Sequence, residues 1–181
     1  LKTKTDYVDH LLDVPDPGGA VIAFSVNPPS VISAEEGHAA TLDTRLAAAE
    51  RVLDAGYGVA FHFDPMIRVD SWRDSYGDVV KRLGAFAGRD VAWISLGTMR
   101  YPRPLEPYLH GTIYEAHEFV RSRDGKMRYL QPQRAEMYRH VRAALDRSLP
   151  GVAVYLCMES APMWRNVYGA SSTEQKHAVR D

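Results

Sequence analysis

Three short runs of unbroken apolar residues do most to limit what this chain can fold into. Ala20–Val26 (AVIAFSV), Gly58–Phe63 (GVAFHF) and Val91–Leu96 (VAWISL) are strand-length and rich in β-branched and aromatic residues. Such runs read as strands covered on both faces, the usual state of strands in a parallel sheet. Between them lie two segments of helical period. Thr41–Ala55 places Leu42, Leu46, Ala49, Val52 and Leu53 on one side, with Thr41 or Asp43 as N-cap and Gly56 where a left-handed residue ends a helix. Trp72–Phe86 repeats the pattern with Val79, Val80, Leu83 and Phe86, and Gly88 follows. Strand–helix–strand–helix–strand with short turns is the signature of parallel βα units. Asn27-Pro28-Pro29 and Asp64-Pro65 are expected to stop the first two strands, because proline cannot donate to a ladder.

The remainder is less regular. Pro15-Asp16-Pro17-Gly18-Gly19 is a turn, and Pro102–Pro107 reads as a loop. Arg121–Leu130 carries Asp124-Gly125 between polar-flanked arms, a hairpin signal. Pro132–Leu149 reads as a helix with proline in its first turn, closed by Pro150-Gly151. Val152–Met158 (VAVYLCM) is a fourth apolar strand, and Ala161–Tyr168 a short final helix ending at Gly169. Residues 170–181 are small, polar and charged, and read as a flexible tail. The opening Leu1-Lys2-Thr3-Lys4-Thr5-Asp6 has no cap and reads like a chain cut inside or just after a strand.

Composition narrows the function classes. A length of 181 residues suits one domain. There is no membrane-length apolar stretch and no leader with a cleavage site, so the expected location is cytoplasmic, with no membrane partner. A single cysteine, Cys157, excludes an internal disulfide and any metal or iron–sulfur site that draws several thiolates from this chain. The net charge of −1 hides an asymmetry. Residues 1–64 hold 4 Lys/Arg against 10 Asp/Glu, whereas residues 121–142 hold 7 against 2. The chain is therefore no general polyanion binder, but one basic segment can meet phosphates.

Polar residues gather just past the ends of the strand runs: Ser25 and Asn27, His62 and Asp64, Ser95 and Thr98. In parallel α/β folds that edge is where ligands bind, although Asn27 and Asp64, each beside proline, also suit turns and caps. His62 and Asp64 share a strand face and offer two metal ligands. A mononuclear site needs more, and none of His10, His38, His110, His117 and His140 has a spacing that predicts convergence, so no metal site is expected. Cys157 is expected to pack as a small hydrophobe. Neither a nucleophile elbow nor a glycine-rich phosphate loop is present. Read bottom-up, the residues give an α/β piece with a polar rim and one basic hairpin.

Seven motifs, taken in order, resemble the spore photoproduct lyase family of radical S-adenosylmethionine (SAM) enzymes. They are Lys2-Thr3-Lys4-Thr5-Asp6, Phe24-Ser25-Val26-Asn27-Pro28, Ala55-Gly56-Tyr57 with Phe61-His62-Phe63-Asp64-Pro65, and Trp93-Ile94-Ser95-Leu96-Gly97-Thr98. Asp124-Gly125-Lys126-Met127-Arg128-Tyr129, Tyr155-Leu156-Cys157-Met158-Glu159-Ser160 and Met163-Trp164-Arg165-Asn166-Val167-Tyr168-Gly169 complete the set. The resemblance implies an α/β fold: the second half of a (β/α)6-type radical SAM barrel with parallel strands, plus a C-terminal extension bearing a hairpin, over residues 1–169. It implies that Lys4 meets the methionyl carboxylate of SAM, that Ser25 is a second SAM contact, and that Asn27 and Asp64 lie nearby. It further implies that Lys126, Arg128 and Tyr129 face damaged DNA, with Arg suited to phosphate and Tyr to base stacking.

The chain departs from the family at one decisive point. Radical SAM chemistry needs a [4Fe–4S] cluster on three cysteines spaced Cys-x3-Cys-x2-Cys, and this chain has one cysteine. The implied role is the C-terminal part of a lyase that cleaves a C–C bond of a thymine photoproduct. This chain then supplies no catalytic residue, holds no cluster, is inactive alone, and partners a missing N-terminal half-barrel. The alternative is a stand-alone, non-catalytic binding or interaction domain of the same fold. An open half-barrel exposes a strand edge, so self-association is a further expectation.

Overall fold

Pairing the strands splits the apolar runs into two unlike faces. A computed structural model describes residues 1–113 and 119–169. Five parallel strands form the main sheet: β1 (Lys2–Thr3), β2 (Val21–Ser25), β3 (Gly58–Met66), β4 (Val91–Thr98) and, from the far end of the chain, β8 (Val154–Leu156), in the order β1-β2-β3-β4-β8. Phe24, Phe61, Ile94 and Val154 are lateral neighbours on one face, and Ser25, His62, Ser95 and Tyr155 are neighbours on the other. Helices cover the first face. α3 (Leu42–Asp54) packs on β2 and β3, and α5 (Gln131–Ser148) on β4. α4 (Trp72–Leu83) and α6 (Ala161–Tyr168) flank α5.

The core lies between sheet and helices. Phe24, Phe61, Phe63, Ile94 and Leu96 are fully buried there with Val52 of α3, Val79 and Leu83 of α4, and Met137, Val141 and Leu145 of α5. The expectation of strands covered on both faces holds in part: Ala23, Ser25, Ala60 and Ser95 on the second face are buried, but among the described residues no helix packs there. The second face carries small and polar side chains, and His62, Trp93 and Tyr155 on it are only partly buried. An apolar run in one dimension hides this alternation because Ala23, Ala60 and Trp93 fill the polar-face positions between the hydroxyls and the imidazole.

Helix ends follow the sequence closely. Thr41 caps α3, its hydroxyl accepting from the Thr44 amide at 3.2 Å. α6 ends at Gly169 with φ 74°, a conformation that favours glycine. α4 gives way at Leu83 to a 3-10 turn over Gly84–Phe86. Pro29 opens α2 (Pro29–Glu35) directly beyond the stop expected there, since proline is preorganised for a first helical turn. A four-residue helix, α1 (Asp9–Leu12), precedes β2.

Two further expectations are corrected. Asp64-Pro65 does not stop β3, which continues to Met66 through a register shift that sets Met66 opposite Thr98. Val152–Met158 contributes only Val154–Leu156 to the sheet. The hairpin forms as β6 (Phe119–Arg121) and β7 (Lys126–Tyr129), with Gly125 at φ 82° in the turn. A third strand, β5 (Arg100–Pro102), joins β7 to give a small antiparallel sheet in the order β5-β7-β6, and a 3-10 segment over Arg103–Leu109 replaces the expected loop. The proposed tail, 170–181, and His117 lie outside the described residues. Among the described residues no helix is long and apolar enough to cross a membrane.

Candidate functional site

The C-terminal edge of the main sheet collects three polar clusters, the first of them set by strand register. The first runs across the helix-free face. Ser25 pairs laterally with His62, His62 with Ser95, and Ser95 with Tyr155. Trp93 Nε1–H donates to His62 Nε2 at 3.3 Å, so the imidazole proton sits on Nδ1, 2.8 Å from Ser95 Oγ. Tyr155, the lateral neighbour of Ser95, has its phenol pKa pushed up by burial. Burial, together with the charges of Lys2 and the N-terminal ammonium, lowers the His62 pKa to about 4, so the ring is neutral at pH 7. Ser25, at the end of this row, is 1% exposed, and its Oγ has no hydrogen-bond partner.

The second cluster surrounds Asp64. Its carboxylate takes a two-point contact from Arg100, Nη1 to Oδ1 at 2.8 Å and Nη2 to Oδ2 at 3.3 Å, with Lys2 Nζ at 3.9 Å. Burial would raise the Asp64 pKa, but the hydrogen bonds and charge of Arg100 hold it below the usual carboxylate range. Cys157 Sγ is 3.8 Å from Arg100 Nη2, and burial followed by the Asp64 charge pushes the thiol up, keeping it protonated. Gly97 makes the arrangement possible: a Cβ there would lie 2.6 Å from Asp64 Oδ1 and 2.9 Å from its Cγ. The expectation that Cys157 simply packs as a hydrophobe is thus corrected; it borders an ion pair.

The third cluster holds Lys4. Its Nζ is 2.9 Å from Glu36 Oε1, which also accepts from Asn27 Nδ2 at 3.2 Å. Glu36 Oε2 takes Arg45 Nη2 at 2.5 Å, and the fully buried Arg45 also donates to the Ser25 and Ala40 carbonyls. Tyr76 donates to Asn27 Oδ1 at 3.1 Å. Asn27 is therefore tied into the frame on both sides. Lys4 itself remains half exposed at the rim of an open cleft of about 770 Å³ shared with Lys2, Thr5, Glu36 and His38.

The hairpin residues divide by burial. Lys126 reaches a cleft of about 300 Å³ that it shares with Asp64, Pro65, Arg100 and Pro102. Arg128 is 5% exposed: Nη2 holds Asp124 at 2.6 Å across the turn, and Nη1 lies 3.8 Å from Glu159. Tyr129 is fully buried, stacked on Phe119 with centroids 4.7 Å apart, and its hydroxyl accepts from the Arg68 amide. Glu159 ties the hairpin to the core, accepting from Arg134 Nε at 3.0 Å and from the Tyr138 hydroxyl at 2.9 Å. In this arrangement Arg128 and Tyr129 fix the hairpin, and Lys126 is the hairpin cation that faces a cleft.

Sequence reasoning placed Ser25, His62, Asp64 and Ser95 on one rim; strand register sets Ser25, His62 and Ser95 side by side, and Asp64 lies beyond that row against Arg100. It missed Glu36, Gly97, Arg100 and Glu159. Gly97 sat inside a quoted motif without a stated reason, and Arg100 lay just beyond the expected strand end. Nothing local marks Glu36 as the partner of both Lys4 and Arg45. Among the described residues no group of three or more His, Cys, Asp or Glu is placed to hold a metal ion. A [4Fe–4S] cluster does not fit this chain, whose single thiol is already placed beside Arg100.

Comparison with known proteins gives one consistent answer. The family model described as Spore photoproduct lyase matches residues 1–94. The spore photoproduct lyase of Geobacillus sp. (strain Y412MC61) is 40% identical over 81 residues, 45% of this chain and 24% of that protein. That of Bacillus subtilis (strain 168) is 36% identical over 89 residues, 49% of this chain and 26% of that protein. The solved structure of spore photoproduct lyase complexed with dinucleoside spore photoproduct superimposes with TM-score 0.73 at 28% identity, covering 86% of this chain and 50% of that one. A mutant of the lyase with bound AdoMet and the same photoproduct gives 0.73 at 27%, with the same coverage. The chain thus spans half the length of the solved structures it matches.

Proposed function

This chain belongs to the spore photoproduct lyase family, and from that premise we propose that its parallel sheet is the C-terminal half of a radical SAM barrel that acts on damaged DNA. In this reading the helix-free face of the sheet is the barrel interior. The observation that carries it is Ser25 Oγ, a buried hydroxyl without a partner at the ligand-binding edge of that face. A hydroxyl buried at this cost is suited to a ligand that supplies the missing hydrogen bond. Lys4 and Ser25 would hold SAM, the ammonium of Lys4 taking the methionyl carboxylate as a compact charge with three donors. Asn27 and Asp64 would stand nearby as positioning groups, Asn27 through Glu36 and Asp64 through Arg100. SAM, bound beside a reduced cluster, supplies the hydrogen-abstracting chemistry of its superfamily.

The cluster itself must come from elsewhere, because one cysteine cannot bind it. The partner is then a half-barrel carrying Cys-x3-Cys-x2-Cys, adding its strands at the open edge of β1. The hairpin would face the nucleic acid, with Lys126 on the cleft beside Asp64 and Arg100, and with Arg128 and Tyr129 holding the hairpin in place. The chain alone is inactive.

The test is complementation. This chain is produced with a half-barrel that carries the three-cysteine loop, reconstituted with iron and sulfide without oxygen, and assayed for SAM cleavage. Cleavage is expected only with both halves, and is lost in Ser25→Ala together with Lys4→Ala. Cleavage by the cysteine-bearing half alone, at the same rate, would contradict the proposal.

A further inference from the structure

The cleft between the main sheet and the hairpin carries more positive charge than the residues around it neutralise. Asp64 is matched by the two-point contact with Arg100, and Lys2 adds a second cation 3.9 Å away. The Lys126 ammonium, on the cleft wall, makes no ion pair or hydrogen bond among the described residues. His62 is neutral and Cys157 protonated, so neither alters this balance. One carboxylate therefore stands against three cations.

The backbone aims these groups at one place. Antiparallel pairing of β5 with β7 sets Arg100 opposite Arg128 and Pro102 opposite Lys126, so all four residues lie on one face of the small sheet. Arg128 is committed to Asp124 and Glu159, which leaves Arg100 and Lys126 for the cleft. Besides Asp64, Arg100 Nη1 reaches the Thr98 carbonyl at 3.5 Å and Nη2 the Cys157 sulfur at 3.8 Å, which leaves the Nε–H, without a partner among the described residues, to meet a second anion. Pro65 and Pro102 line the walls without amide hydrogens of their own, so the charged side chains dominate recognition.

We propose that this cleft is an anion subsite for one phosphate group, held by Arg100 and Lys126, with Asp64 a positioning residue that orients the guanidinium over Gly97. It rests on the family reading given above, in which the phosphate is a phosphodiester of the DNA strand entering beside the hairpin. Phosphate rather than carboxylate is favoured because two cations of different geometry, a planar fork and a point charge, converge on a space of about 300 Å³. Gly97 is then part of the specificity: any side chain there would push Asp64 aside and turn the Arg100 fork away.

The test uses the chain itself, with nuclear magnetic resonance titrations of inorganic phosphate, thymidylyl-thymidine and uncharged thymidine. Phosphate and the dinucleotide are expected to shift the Arg100 and Lys126 resonances, and thymidine to leave them unchanged. Lys126→Ala is expected to weaken the dinucleotide about tenfold, as loss of one charge-assisted contact does. Lys126→Arg should retain binding. Gly97→Ala should weaken it while keeping every charge. Shifts by inorganic phosphate alone, with the dinucleotide excluded, would overturn the phosphodiester assignment. Wild-type affinity in both Lys126→Ala and Gly97→Ala would overturn the subsite. Duplex DNA is titrated in parallel to separate this inference from the reading beneath it. DNA binding whose salt dependence is untouched by Lys126→Ala counts against the subsite and leaves the family reading standing. Dinucleotide binding lost in Lys126→Ala supports the subsite even where duplex binding is absent.

Discussion

Removing the Glu36 carboxylate is expected to destabilise the fold more than any loss of surface charge. Glu36 is the acid that faces Arg45, a guanidinium with no exposed surface, and it also receives Lys4 and Asn27. Truncating one partner of a buried pair leaves an uncompensated charge and costs about 3–5 kcal/mol. Arg45 keeps the Ala40 and Ser25 carbonyls at 2.8 and 3.0 Å, so the lower end of that range applies. Glu36→Ala should therefore cost about 3 kcal/mol, a fall in melting temperature of roughly 6–12 °C for a domain of this size. Urea unfolding followed by circular dichroism, with the slope compared between variants, measures it. The sign with pH follows from the lowered Glu36 pKa. A carboxyl whose folded pKa lies below its unfolded value stabilises above that unfolded value, near 4.5, and loses the contribution as pH falls through the folded pKa. The gap between wild type and Glu36→Gln should thus be full at pH 7 and shrink in acid. Replacing both partners with apolar residues should recover much of the loss. A Glu36→Ala midpoint within about 0.5 kcal/mol of wild type would refute the reasoning, since that is the scale of ordinary surface changes.

Two further outcomes follow from the same geometry. The His62 carbon resonances should titrate with a midpoint of about 4, and stability should fall as pH drops from 6.5 towards that value, because the unfolded chain takes up the proton first; His62→Gln should remove this part of the pH profile. The chain alone should self-associate in sedimentation at micromolar concentration, through the β1 edge, which among the described residues pairs only with β2; a monomer across that range would count against it.

How far the sequence revealed the fold depended on whether the information was local. α3 and α6 were legible because cap, period and terminating glycine agree at Thr41, Leu42–Leu53 and Gly56, and at Gly169. The strands were legible as strands but not as two-faced. Alternation is visible only once register sets Ser25, His62, Ser95 and Tyr155 side by side, and that is a long-range property. β5 escaped notice because Arg100–Pro102 is three residues long and exists by pairing with β7. The candidate site was half legible. Polar residues at strand ends mark the rim, but the acid that holds Lys4 comes from α2 and its following turn, and the cation that holds Asp64 comes from beyond β4. Arg128 and Tyr129 looked like ligand contacts because type and motif say nothing of burial. The fold uses both inside the hairpin, through Asp124, Glu159 and Phe119.

The measurement that bears most directly on the central claim is a titration of this chain with SAM, read residue by residue from backbone amide resonances. If the helix-free face is the wall of a SAM pocket, shifts at millimolar SAM concentrate at Lys4, Ser25 and their neighbours on the C-terminal edge, and Ser25→Ala with Lys4→Ala removes them. Binding is expected to be weak, because this chain offers only part of the site. Shifts scattered over the helices, or an identical pattern in the double variant, would contradict the account and favour a stand-alone domain that kept the fold for another purpose.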